Sequence, residues 1–355
     1  MLRLPPFSFL RARDVAEAAG LLAEHGDQAM LVAGGTDLVP KMKRGQLTPT
    51  LLVGVGHLAE LGHVSASDRG VEIGAGVTLA RVAADARLGA AYPGYVQAAA
   101  SVSSPALRNA GTIGGNLCVD TRCNYYDMSF EWRQALGFCM KKDGDVCRVA
   151  PASTYCRAIA SSDTAPVAIA LGATVVLVGP GGQRRELAAA DLYQDDGRCY
   201  LTKQPGEVVE SLRLPPPGGW RSAYVKVRRR HAIDFPLGGA AVALATTGPI
   251  IEACRIVLTA VGPRPLDVSA AAEPLVGRPL AEVLGGDVGL LAEVAAAAVK
   301  PAKPLDNADL HYVWRKQMTR RAVEQAIRQA ARQPAPHGAP AATFGADAAG
   351  GAKRG

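Results

Sequence analysis

The sequence predicts an α+β fold. Two α/β lobes, residues 1–57 and 58–218, precede an α+β domain at 219–331. Three observations carry this reading. Helix-periodic and strand-like segments alternate through the first two hundred residues. Pro215–Gly219 punctuates the chain as a domain boundary. Long strand-like runs follow it, and then two long helical runs. At 355 residues the chain exceeds what one small core supports.

The elements follow in order. Residues 13–25 read as an amphipathic helix, with Asp14 as N-cap, Val15, Ala18, Leu21 and Leu22 on one face, and Gly26 after its end. Ala29–Ala33 is a short buried strand. Leu51–Val55 and Val71–Ile73 are further strands, and helices are expected near 79–86 and 91–101. Residues 119–159 have little periodicity, hold four cysteines with Tyr125, Tyr126 and Trp132, and read as an insertion stabilised by something other than an apolar core. Ala165–Leu171 is helix-like and Thr174–Val178 strand-like. Asp195 and Asp196 read as a turn before Gly197. In the last part, Tyr224–Val227, Gly239–Thr246 and Ile251–Val261 read as strands, the last two pairing as a hairpin or meander. Leu290–Val299 and Asp309–Ala331 read as helices. Residues 332–355, rich in Ala, Pro and Gly, read as a disordered tail.

Composition excludes several classes. The hydrophobic fraction of 48% and charged fraction of 20% are those of a soluble globular protein. No apolar run reaches the roughly 18 residues of a membrane span. The N-terminus carries a proline pair where a signal peptide has its apolar stretch, so a cytoplasmic location is expected. The net charge is +7, but the basic residues are scattered and the one dense run, Lys226–Arg230, is short, which argues against a nucleic-acid partner. His231 and His311 are isolated, and no catalytic triad is recognisable.

Two glycine-rich segments could cradle phosphate. One is Met30, Leu31, Val32, Ala33, Gly34, Gly35, Thr36, Asp37. The other runs from Asn109 through Thr112, Ile113, Gly114 and Gly115 to Asn116. Without side chains, backbone N–H groups can approach a pyrophosphate closely. Neither segment is a Walker loop or the spaced-glycine Rossmann fingerprint. Taken singly, each reads as a plain turn; two of them strengthen the phosphate reading.

The chain has seven cysteines, five of them between Cys118 and Cys156. Clustering of this kind in a cytosolic chain points to metal or redox chemistry rather than a disulfide scaffold. Cys123, Cys139, Cys147 and Cys156 lie 16, 8 and 9 residues apart. Four thiolates can hold zinc or a 4Fe-4S cluster, and the spacing does not decide between them. Four free buried thiols are the third possibility. Cys118, Cys199 and Cys254 read as packing residues.

The two glycine turns together resemble the flavin-binding subunits of the xanthine dehydrogenase and carbon monoxide dehydrogenase family. The likeness covers about residues 3–330. It takes in Ser162-Asp163 before an apolar helix, Lys226 before a basic segment, Thr259 to Pro265, and the late Asp309, Tyr312, Arg315 pattern. The resemblance implies a two-lobed FAD-binding domain of the PCMH/vanillyl-alcohol-oxidase type and a C-terminal CO dehydrogenase flavoprotein-type α+β domain. It implies that residues 30–37, Asn109 and 112–116 wrap the FAD phosphates, that Val102 lies against the cofactor, and that Asp163 and Lys226 stand near the flavin. Read from the residues alone, Asp163 could equally be a helix N-cap and Lys226 a solvated strand residue.

One subgroup of that family, the flavin subunits of 4-hydroxybenzoyl-CoA reductase, is similar in a further respect: a four-cysteine insertion after the second glycine turn, carrying a 4Fe-4S cluster. The resemblance implies that Cys123, Cys139, Cys147 and Cys156 ligate such a cluster. It implies two partners, a molybdopterin-binding large subunit and a small subunit with two 2Fe-2S clusters, in a dimer of heterotrimers. Reduced ferredoxin would be the electron donor, and 4-hydroxybenzoyl-CoA would be dehydroxylated to benzoyl-CoA in the large subunit, with no catalytic residue in this chain. Other expectations remain: a flavin subunit of an ordinary hydroxylase that passes electrons to NAD or a quinone, or a non-catalytic sensor using the cysteines as a redox switch.

Overall fold

The computed structural model describes residues 3–285 and 288–334. Three sheets organise it. The first is parallel, with strands β1 (Ser8–Arg11), β2 (Ala29–Val32) and β3 (Leu51–Gly54) in the order β1-β3-β2. The helix Val15–His25 leads from the first strand to the second. Asp14 caps it by accepting from the Glu17 N–H at 2.7 Å, and Gly26 ends it with φ +50°. Both ends are where the sequence puts them.

The second sheet has strands β4 (Val64–Ser67), β5 (Gly70–Gly74), β6 (Thr174–Val178), β7 (Arg184–Ala188) and β8 (Val208–Leu214), in the order β4-β5-β8-β6-β7. Every pairing in it is antiparallel. The lobe expected as α/β is therefore built from hairpins, because β4 to β5 and β6 to β7 are joined by short turns that cannot hold a crossover helix. Strands β4, β7 and β8 were not legible: Val64–Ser67 and Arg184–Ala188 are short edge strands with few apolar residues. The helix expected near 79–86 divides into Leu79–Ala84 and Ala86–Ala91. Asp85 separates them and caps the second by accepting from the N–H groups of Arg87 and Leu88.

The third sheet is an antiparallel meander of β9 (Arg221–Val227), β10 (Gly238–Thr247), β11 (Ile250–Thr259) and β12 (Leu266–Asp267). The predicted hairpin is β10–β11, with a register shift at Ala245/Thr246. Ala241, Ala243 and Val257 of this sheet join the core of the second lobe, with the helices Pro93–Ser101 and Thr164–Leu171 between. The alternate residues Ala240, Val242 and Leu244 face a second core made with the helices Val288–Val299 and Tyr312–Arg332. The sheet is thus buried on both faces, which its small residues permit. Small side chains let the helices approach closely. The tail expected over 332–355 lies, from residue 335 on, outside the described residues.

Arg315, on the first turn of the last helix, is fully buried. It donates to the carbonyls of Leu237 (2.9 Å), Leu305 (2.9 Å) and Ala260 (2.7 Å), and to Asn307 Oδ1 (3.3 Å). Burial lowers its pKa to about 10, opposed in part by Asp306. Its fork ties three loops to one helix. Arg315→Met leaves several buried acceptors without donors, and is expected to lower unfolding stability by about 3 kcal/mol; the shift of the urea midpoint measures it.

Candidate functional site: two glycine turns and a four-thiol cavity

The first glycine turn follows strand β2 directly. Gly35 has φ +66°, a conformation that favours glycine. A Cβ on Gly34 would lie 1.8 Å from the Ala110 carbonyl oxygen. The two predicted phosphate turns are therefore in contact with each other, and only glycine permits the approach. Among the described residues, no protein acceptor meets the backbone N–H groups of Gly34, Gly35 or Thr36. Ala33 and Gly34 are exposed. These are free donors at the surface of a paired turn, the arrangement a pyrophosphate requires.

The second turn opens a short helix, Ile113–Leu117. Thr112 caps it, its Oγ1 accepting from the Gly115 N–H at 3.1 Å. Gly114 packs on Ala75, where a Cβ would come within 2.7 Å of the Ala75 Cβ, and Gly115 is exposed. Asn116 is turned inward. Its Oδ1 accepts from Ser162 Oγ (2.9 Å), the Thr164 N–H (3.1 Å) and Thr164 Oγ1 (2.7 Å). Asn116 thus fixes the segment that carries Asp163. Thr259 Oγ1 donates to the Ser162 carbonyl (3.2 Å), and the Ala160 N–H donates to the Gly262 carbonyl (2.8 Å). The late sequence segment Thr259–Pro265 is a clamp on the same residues.

Asp163 occupies the N-cap position of Thr164–Leu171, but its side chain makes no capping bond. It is 2% exposed. Its Oδ1 accepts from Tyr224 Oη at 2.7 Å and its Oδ2 from Lys226 Nζ at 2.8 Å. Lys226 is no solvated strand residue, since its side chain is buried with that of Asp163. Tyr224 and Lys226 are two apart on β9 and so share a face. Burial, with Asp163 adding to it, raises the Tyr224 pKa well above the usual phenol range, so the hydroxyl stays a donor. Lys226 Nζ and Arg228 Nη1 both donate to the Ser101 carbonyl at 3.1 Å. Val102, next in the chain, lies at this rim, partly buried.

The structure therefore brings Asn116, Asp163 and Lys226 into one network and Gly34 against the residues beside Thr112. Asn109 stands exposed at the outer edge of the second turn. Met30, Leu31 and Val32 form the strand behind the first turn. Sequence reasoning missed Tyr224, although its spacing from Lys226 on a strand was a usable signal. It also missed Lys41, four residues after Asp37 on the helix Leu38–Lys43.

The insertion enters and leaves through one antiparallel bridge, with Arg122 and Ile159 exchanging N–H to carbonyl bonds of 2.8 Å. Inside it are two short helices, Asn124–Asp127 and Phe130–Ala135. Its own apolar core is small: Cys123, Tyr126, Cys156 and Ala158, with Tyr125 and Met140 packed on them. Cys123, Cys139, Cys147 and Cys156 are all buried, and they line one cavity together with Tyr125, Met140, Lys141, Arg148 and Ala158. The cavity is small and partly open to solvent. Among the described residues, no three His, Cys, Asp or Glu side chains are grouped to hold a single metal ion. Burial pushes the Cys123 thiol up to about 12 and the Cys156 thiol up to about 11, so both stay protonated until a cation is bound.

Of the remaining cysteines, Cys254 is buried in the second core and Cys118 packs partly buried on the first. Cys199 is exposed, contrary to its reading as a packing residue; it sits in the loop after the Asp195–Asp196 turn, whose Asp196 accepts from the N–H groups of Arg198 (2.9 Å) and Cys156 (3.2 Å).

Residues 5–217 match the FAD binding domain in molybdopterin dehydrogenase, and residues 222–330 match the CO dehydrogenase flavoprotein C-terminal domain. The chain belongs to this family: it is an FAD-binding subunit of the molybdenum hydroxylase type. It is 30% identical over 321 residues to the carbon monoxide dehydrogenase medium chain of Afipia carboxidovorans, an alignment covering 90% of this chain and 96% of that one. It is 33% identical over 274 residues to the aldehyde oxidoreductase FAD-binding subunit PaoB of Escherichia coli, covering 75% and 84%. Among solved structures, it superposes on reconstituted CO dehydrogenase from Oligotropha carboxidovorans with a TM-score of 0.76 at 27% identity, covering 94% of this chain and all of that one.

Two substitutions test the site. Gly34→Ala forces the paired turns apart, and overpacking of this kind costs about 1–3 kcal/mol; purified protein is expected to carry at least tenfold less FAD, read from the flavin absorbance per chain. Asp163→Asn leaves the Lys226 ammonium buried without its counter-charge, and is expected to cost about 3 kcal/mol of stability in urea unfolding.

Proposed function

We propose that this chain binds FAD and a 4Fe-4S cluster and relays electrons from reduced ferredoxin towards a molybdopterin-binding large subunit, by way of a small subunit with two 2Fe-2S clusters. In this reading the complex is a dimer of heterotrimers that reduces 4-hydroxybenzoyl-CoA to benzoyl-CoA in the large subunit. The observation that carries it is the convergence of four buried thiols, from widely spaced positions, on one cavity in an insertion with almost no core of its own. The family match speaks for the flavin; the metal rests on the cysteines.

A bound flavin supplies one- and two-electron chemistry, and a bound cluster supplies single-electron transfer. The chain's residues have the other tasks. The N–H groups of Gly34, Gly35 and Thr36 receive the pyrophosphate; the second turn, whose N–H groups at Ile113, Gly114 and Gly115 are bonded to Val77, Ala75 and Thr112, packs against them and lines the site with Thr112, Gly115 and Asn116. Asp163, held by Tyr224 and Lys226, fixes the wall formed by Ser101 and Val102. Lys226 brings no free positive charge, because Asp163 balances it. Cys123, Cys139, Cys147 and Cys156 are the cluster ligands, and the apolar side chains of Tyr125, Met140 and Ala158 limit water around them.

A second reading is favoured by the relatives, which are named as dehydrogenases of carbon monoxide and as an aldehyde oxidoreductase. There the chain is a flavin subunit of a substrate-oxidising hydroxylase, delivering electrons to NAD or a quinone. Iron, acid-labile sulfide, zinc and FAD counted in the anaerobically purified complex separate the two. About four irons and four sulfides in this subunit per FAD are expected; zinc or no metal would leave the flavin reading standing and remove the cluster. Cys139→Ser is expected to abolish the cluster's absorbance and leave FAD bound. Loss of FAD with unchanged iron would contradict the site assignment.

A further inference from the structure

The cysteine cavity is lined by two cations, Lys141 and Arg148, and by no carboxylate. Arg148 spends its guanidinium on the carbonyls of Phe138 (2.7 Å) and Gly137 (2.8 Å). Lys141 is held differently. Its Nζ donates to Asp120 Oδ1, Thr121 Oγ1 and the Gly197 carbonyl, each at 2.7 Å, using all three of its protons. The side chain is 6% exposed, and the ammonium lies 5.0 Å from the Tyr126 ring centroid and 5.7 Å from that of Tyr200. A lysine pinned by three acceptors and two aromatic rings is a fixed charge rather than a mobile surface group.

Its counter-charge is shared. Asp120 also accepts from Lys41, which is fully buried. The other acid near Lys41 is Asp37, at 3.6 Å, and Asp37 is itself bonded to Arg122. One carboxylate thus serves two ammonium groups, within a network in which Lys41, Lys141 and Arg122 face Asp37, Asp120 and Asp127. The series Asp37, Lys41, Asp120, Lys141 also runs without interruption from the first glycine turn to the thiol cavity. It gives Lys141 a rigid mounting on the body of the fold, outside the insertion.

We propose that Lys141, held by Asp120 and Lys41, sets the reduction potential of the cluster ligated by Cys123, Cys139, Cys147 and Cys156. This inference rests on the cluster reading above. Four thiolates make the site negative, and reduction adds one more negative charge. A fixed cation at the cavity wall favours the reduced form, and the burial of Lys141 and of the four cysteines strengthens its effect. The effect is electrostatic, so it should follow the charge of residue 141 and not its bulk.

The test is a redox titration followed by electron paramagnetic resonance on the intact complex, comparing wild type with Lys141→Met, Lys141→Gln and Lys141→Arg. Iron and FAD content are measured on each. The neutral variants are expected to shift the cluster's midpoint to lower potential, the arginine variant to stay near wild type, and the flavin potential to move less than that of the cluster. Lys141→Gln retains hydrogen-bonding capacity, so it is read in place of Lys141→Met if the latter loses iron. A cluster that stays loaded with an unchanged midpoint in the neutral variants overturns the role of Lys141 and leaves the cluster reading intact. So does an arginine variant shifted as far as they are. Wild-type complex without iron in this subunit overturns the cluster reading, and this proposal with it.

Discussion

The fold turns on a carboxylate placed where it cannot be left alone. Asp163 is buried between the second lobe and the third sheet, and a charge in such a place needs a partner of opposite sign or a hydrogen-bonded neutral state. Strand β9 supplies the partner, Lys226, and a hydroxyl, Tyr224, at the other oxygen. Two parts of the chain more than sixty residues apart are thereby held in one register. The neighbouring bonds from Thr164 to Asn116, and from Thr259 and Arg228, reinforce that alignment. The buried pair contributes modestly to net stability, because desolvation opposes it. Its value is directional: packing alone would let small residues such as Ala241 and Ala243 slide, whereas the pair admits one arrangement.

The glycine turns work by the same logic in reverse. Where Asp163 demands a partner, Gly34 demands the absence of one, since any side chain would enter the Ala110 carbonyl. Neighbouring backbone donors are left open because the two turns meet through their glycines and not through hydrogen bonds. The site thus combines a fully satisfied polar wall with an unsatisfied backbone surface at Gly34, Gly35 and Thr36.

Much of this was legible in the sequence. Asp14 and Gly26 announced the ends of the first helix, the apolar run at 239–246 announced a strand, and the two glycine segments stood out by composition. What could not be read was partnership. Asp163 had two meanings in sequence, a helix cap or a site residue, and the choice depended on a strand sixty residues away. Strands such as β7 lack an apolar pattern because they are edges, and their pairing comes from neighbours already in place. The convergence of Cys123, Cys139, Cys147 and Cys156 had no counterpart in their spacing, since no close cysteine pair occurs among them. Cys199 looked like its packed neighbours in sequence, yet it stands exposed in a loop.

The neck formed by Arg122 and Ile159 governs how freely the stretch between them can change in length. Because entry and exit lie side by side in one bridge, the stretch between them closes on itself and the remainder of the protein never has to span it. Lengthening or shortening that stretch changes loop entropy only slowly with the number of residues. Such a segment can vary in length while the surrounding scaffold keeps its strand order and its paired turns, and bonds such as Asn124 N–H to the Asn307 carbonyl and Lys141 to the Gly197 carbonyl seat it on the body.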